Sequence, residues 1–231
     1  MSYTPDVEAR LRDQAQQIIE RYPTGHARSA LLPMLHLVQS EDGYVSPDGI
    51  ALCADVLDLS RAEVSAVATF YTQYKRHPNG DYLVGVCTNA LCAVMGGDEI
   101  WEAVSEHVGV GSDETSASGK ITLERLECNA ACDYAPVVMV NWEFFDNQTV
   151  ESAIALVTDI EAGRPIHPTR GADTVATFKE VEHVLAGFAD GRVHEGPSAG
   201  HASVLGLTLA ADKGWSAPQP VVSATTEGEQ A

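Results

Sequence analysis

The cysteines constrain this chain more than any other residue type. Cys87 and Cys92 frame "VCTNALC", directly after the strand-like run "DYLVGV". Cys128 and Cys132 lie in "LECNAACDYAP", directly after a second such run, "ITLERLE", with 35 residues between the pairs. Two strands that end in cysteine loops on the same side of a sheet bring four sulfurs together, so the fold must contain that sheet. The fifth cysteine, Cys53, sits alone on an apolar helical face and reads as a core residue. An odd count argues against a disulfide framework. "MSYTPDVEARLRDQAQQ" lacks the apolar centre of a secretory signal, and no apolar run reaches the ~18 residues of a membrane span. The chain is therefore expected in the cytoplasm, where thiols stay reduced.

Four reduced cysteines suit zinc or an iron–sulfur cluster, both of which take soft thiolate ligands. Structural zinc sites mostly use a loop with two residues between the sulfurs, tight enough to wrap a single ion. Here the loops are Cys87-x4-Cys92 and Cys128-x3-Cys132. These wider loops fit better around a two-iron core, and they differ from the plant-type ferredoxin pattern, in which three cysteines share one loop. Spacing therefore favours a [2Fe–2S] cluster over zinc, with zinc still open. Ala90, Ala93, Ala130 and Ala131 leave room for the backbone to approach inorganic sulfide and donate N–H bonds to it. A thiol–disulfide enzyme would show C-x-x-C beside an electropositive neighbour, and neither pair has that form.

Around these loops the hydrophobic period changes twice. Residues 1–80 read as a helical module of four short helices. Its signals include Ser46-Pro47 opening one helix, Ser60 with Glu63 as a capping box, and Val64, Val67, Ala68 and Tyr71 as a buried stripe. Phe70, Tyr71 and Tyr74, at helical spacing, are expected in the core, and His36 in "MLHLV" reads as a satisfied helix histidine. After the turn-rich "HPNGD", residues 81–163 read strand–helix–strand–strand–strand–helix, a small α/β domain. Residues 164–231 form an extension with one further helix in "FKEVEHVLAGFADG". The rest of the extension is rich in Gly, Ala, Ser and Pro, a composition that buries little apolar surface. The formal charge of −19 argues against nucleic acid and anionic lipid, which need clustered Lys and Arg; it reads first as a means of solubility, the sharper alternative being a partner with a basic docking face.

The phrases "RYP…SALLPMLHLVQSEDGYVS", "VATFYTQY", "VCTNALC" and "ECNAACDYAPVVMVN" together resemble the E subunit of bacterial proton-pumping NADH:quinone oxidoreductase, respiratory complex I. The resemblance runs from about residue 20 to 163, and related chains occur in NAD-linked hydrogenases and formate dehydrogenases. It implies an α/β fold: an N-terminal helical module, then a thioredoxin-like ferredoxin domain whose one [2Fe–2S] cluster is held by Cys87, Cys92, Cys128 and Cys132. It further implies single-electron exchange with the FMN of a neighbouring NADH-binding subunit, within a complex attached to the cytoplasmic face of the membrane. NADH and FMN would then belong to that partner, in keeping with the lack of a G-x-G-x-x-G or P-loop motif here. Pro136 stands where thioredoxin-like domains often place a cis-proline. "GPSAGHASVLGLTLA" resembles a C-terminal segment that lies on the flavin subunit, the alternative being a disordered tail. The chain departs from the family pattern at Asn129-Ala130-Ala131, where a glycine is usual.

Overall fold

The computed structural model describes residues 3–217. Four helices open the chain: α1 (Pro5–Ile19), α2 (Leu31–Asp42), α3 (Pro47–Leu57) and α4 (Arg61–Phe70). Local chemistry sets their ends. The Ser46 hydroxyl accepts the Gly49 N–H at 2.9 Å ahead of α3, and Ser60 and Glu63 close a reciprocal capping box ahead of α4. Gly43 ends α2 at φ +77°, a conformation that penalises any Cβ. The apolar faces meet in one core in which Leu11, Ile18, Met34, Leu35, Cys53 and Val64 are fully buried. Burial pushes the Cys53 thiol up to about 12, so it is inert, as its place on an apolar face implied.

The aromatic cluster departs from expectation. Only Tyr74 is buried; Phe70 is 78% exposed and Tyr71 45%. The reason is that α4 stops at Phe70 and Tyr71 turns extended, so helical spacing no longer decides which way these rings face.

A five-stranded sheet follows, with strand order β2-β3-β1-β4-β5. Its strands are β1 (Tyr82–Cys87), β2 (Glu114–Thr115), β3 (Ile121–Leu126), β4 (Val138–Val140) and β5 (Glu143–Phe145). The central pair β1–β3 is parallel and every other pairing is antiparallel. Three helices complete the domain: α5 (Ala90–Val94), α6 (Gly97–Val108) and α7 (Val150–Glu161). Strand alternation divides the two faces. Val84, Val86, Ile121, Leu123, Val138 and Val140 share one core with Ile100 and Val104 of α6 and Ala153, Val157 and Ile160 of α7. The other face carries Glu124, which pairs with the buried Lys75 at 2.9 Å and so joins the sheet to the end of the helical module. Asn141 and Trp142, both at positive φ, turn β4 back into β5. The bond from Ala135 to Pro136 is cis.

Of the described residues, 3–198 make one compact unit. Within it the first part of the extension returns to both halves of the chain. Arg170 forks onto Asp146, and its backbone bridges Phe144 of β5. Helix α8 (Phe178–Leu185) then lies against α2, and Phe178 stacks on Trp142 at 5.7 Å. His36 is satisfied across this contact: its Nδ1 lies 2.6 Å from Glu182, a carboxylate with no exposure at all. A second unit begins at residue 199, and within it His201–Asp212 is a helix, α9. The composition of the tail concealed this helix, because its good helix formers are concentrated in "HASVLGLTLAAD" with no proline among them. The remainder of the expected tail, 218–231, lies outside the described residues.

Candidate metal centre

Because β1 and β3 are parallel neighbours, both cysteine loops leave the sheet at the same end. Cys87 is the last residue of β1 and sits in register with Leu126, the last of β3. Cys92 follows on α5, and Cys132 opens a short 3-10 turn, Cys132–Tyr134. Cys87 and Cys92 are buried, while Cys128 and Cys132 reach the surface. The two inner cysteines pack with Ala131, Ala135, Val137 and Met139, a small apolar floor under the loops.

The sulfurs form two adjacent pairs. Cys128 and Cys132 have their Sγ atoms 3.5 Å apart, and the Cys92 and Cys87 side chains are near enough to influence each other. Across the pairs, Cys132 bears electrostatically on Cys92, and Cys87 on Cys132. Burial pushes Cys92 up to about 11, helped by the neighbouring Cys87 and the crowding of the other sulfurs. Cys132 is raised by its bond to Cys128 and then by burial. The neighbouring Cys87 and Cys128 thus make Cys92 and Cys132 harder to ionise. A cationic core that takes all four as thiolates displaces their protons and removes that repulsion.

A two-metal cluster suits this donor set. All four donors are soft thiols, and they are paired instead of gathered about a point. Among the described residues, no three His, Cys, Asp or Glu side chains converge closely enough to hold a single ion. Of the four alanines expected to offer backbone donors, Ala130 points its N–H at Cys128 Sγ, 3.3 Å away, and sits at φ +55°, a conformation that favours glycine. Ala90 and Ala93 behave differently: their N–H groups bond to Asn89, which caps α5.

Sequence reading passed over Gly97, the first residue of α6. A Cβ there would lie 2.6 Å from the Cys87 carbonyl oxygen and 2.8 Å from that of Cys92. Both obstacles are backbone, so neither can swing aside. Gly97→Ala is expected to cost about 1–3 kcal/mol in denaturant unfolding and to lower the iron retained per purified chain. Unchanged values on both counts would mean that the first cysteine loop yields freely.

The model of the thioredoxin-like [2Fe-2S] ferredoxin family matches residues 15–161. The E subunit of the NADH-quinone oxidoreductase of Mycobacterium tuberculosis is 57% identical over 218 residues, which are 94% of this chain and 85% of that one. A second NADH-quinone oxidoreductase subunit, from Thermus thermophilus, is 31% identical over 154 residues, 66% of this chain and 85% of that one. The crystal structure of an NAD+-reducing [NiFe]-hydrogenase in the air-oxidized state aligns with a TM-score of 0.53 and 19% identity. It covers 58% of this chain and 23% of that one, a likeness of fold alone.

Proposed function

This chain belongs to the thioredoxin-like [2Fe–2S] ferredoxin family, and from that premise we propose that it is the electron-transfer E subunit of a proton-pumping NADH:quinone oxidoreductase. The relatives at 57% and 31% identity, each a subunit of such an enzyme, favour this setting over the NAD-linked hydrogenase or formate dehydrogenase equivalent. The ligands we assign are Cys87, Cys92, Cys128 and Cys132. A [2Fe–2S] cluster held by four thiolates supplies one-electron chemistry when bound.

The chain's own residues provide position and surroundings. The parallel β1–β3 pair delivers both loops to one place, and the apolar floor keeps water from one side of the thiols. Two exposed cysteines leave the other side open to a partner, which we take to be the flavin-bearing, NADH-oxidising subunit with its neighbours in the peripheral arm. That setting puts the chain at the cytoplasmic face of the membrane, held there by the complex. Among the described residues no helix is long and apolar enough to cross a membrane.

One observation carries the reading: two cysteine pairs at the same end of adjacent parallel strands. Its test is the iron, acid-labile sulfide and zinc content of anaerobically purified chain, with EPR before and after dithionite. About two irons and two sulfides per chain, with a reduced S = 1/2 signal, is the expected result. About one zinc and no sulfide would leave a structural module in its place.

A further inference from the structure

Beyond the last register pair of β1 and β3, the two cysteine loops are tied by side chains that no metal requires. Asn89, two residues after Cys87 and three before Cys92, donates its Nδ2–H to Glu127 Oε2 at 2.5 Å. Glu127 immediately precedes Cys128. The other end of the same amide, Oδ1, accepts the Ala90 N–H at 3.2 Å, and the Asn89 backbone carbonyl accepts the Ala93 N–H at 2.9 Å. Asn89 therefore caps the helix that carries Cys92 while holding the segment that carries Cys128. Moving it moves a ligand on each loop.

Glu127 also brings charge. Among the described residues no Lys, Arg or His lies within ion-pair distance of its carboxylate. Arg125, the cation closest to it in the chain, is bound instead to Asp98 at 3.2 Å and lies over the Trp101 ring. The Asn89 amide neutralises the carboxylate only as a dipole does. Reduction adds one negative charge to the cluster, so an uncompensated carboxylate beside a ligand opposes it.

We propose that Asn89 and Glu127 form a clasp that fixes the separation of the two cysteine loops and, through the Glu127 carboxylate, lowers the reduction potential of the cluster they hold. Both are positioning residues. The inference rests on the ligand assignment above, and the two halves of the clasp separate by substitution. Glu127→Gln keeps an oxygen to accept the Asn89 N–H and removes the charge. Asn89→Ala removes the tie and keeps the charge.

The test uses the full chain purified anaerobically with its iron. Its readouts are the midpoint potential from an EPR-monitored redox titration and the rate of iron loss to a chelator. Glu127→Gln is expected to raise the potential while losing iron at the wild-type rate. Asn89→Ala is expected to lose iron about tenfold faster, the lower end of what outer-shell partners of metal ligands usually contribute, without a rise in potential. An unchanged potential in Glu127→Gln, or a wild-type loss rate in Asn89→Ala, overturns the clasp. Thermal unfolding of each variant shows that it is folded, and neither side chain belongs to an apolar core. Zinc or no metal in the wild-type chain would instead overturn the ligand assignment, so the two failures are distinct.

Discussion

Replacing Cys128 with alanine is expected to abolish the reduced-state EPR signal and remove most of the iron from the purified chain. Outer-shell partners of a metal ligand are commonly worth about 10–100-fold in metal affinity, and a thiolate in direct contact contributes more. Cys128 shows the effect cleanly because its side chain reaches the surface, so the substitution opens no cavity. Its partner sulfur, Cys132, lies 3.5 Å away and loses the other half of a ligand pair. The control is Cys53→Ala, which removes an equally conspicuous thiol from the helical core. That variant is expected to keep all its iron and to lose about 1 kcal/mol of stability from the small cavity. Full iron in Cys128→Ala would remove it from the ligand set. Iron loss in Cys53→Ala would show that helical packing reaches the metal centre, which lies in a different packed cluster.

The second large effect concerns the joint between α2 and α8. His36→Ala is expected to destabilise the chain by about 3–5 kcal/mol, because it strips the partner from a buried carboxylate. Glu182 has no exposure, His36 holds one of its oxygens at 2.6 Å, and the other finds no hydrogen-bond partner among the described residues. At this chain length the loss corresponds to a fall in Tm of about 6–20 °C. The double replacement His36→Leu with Glu182→Leu should recover most of it, since exchanging both partners of a buried hydrogen bond for apolar side chains can be nearly neutral or better. The consequence reaches the sheet. Helix α8 begins at Phe178, whose N–H is held by the Asp81 carbonyl at 2.7 Å and whose ring lies on Trp142. A chain that unfolds at the wild-type temperature in the single variant would show that α8 docks through these apolar contacts and not through the pair.

Local signals in the chain decided a good deal. The capping box at Ser60, the stop at Gly43 and the turn at 77–81 each act within a few residues, so their effects are legible in one dimension. The cysteine spacing belongs to the same class. It implies two loops wide enough for a pair of metals, and the strands before them imply a common end of one sheet.

Contacts between distant residues were not legible in that way. Phe70 and Tyr71 have core-like spacing yet face outward, because the helix that would set their direction ends at Phe70. Glu182 looks like any helix-surface glutamate until α8 lies on α2 and buries it against His36, 146 residues away. Asn89 and Glu127 are 38 residues apart, and only the parallel pairing of β1 with β3 brings them within hydrogen-bonding distance. By itself, then, the sequence determined most of the elements and the spacing of the two cysteine pairs, though not α9 or the end of α4. The tertiary structure alone decided which polar side chains meet, because periodicity and capping report on neighbours along the chain, whereas a partner across the fold exists only once the chain has closed on itself.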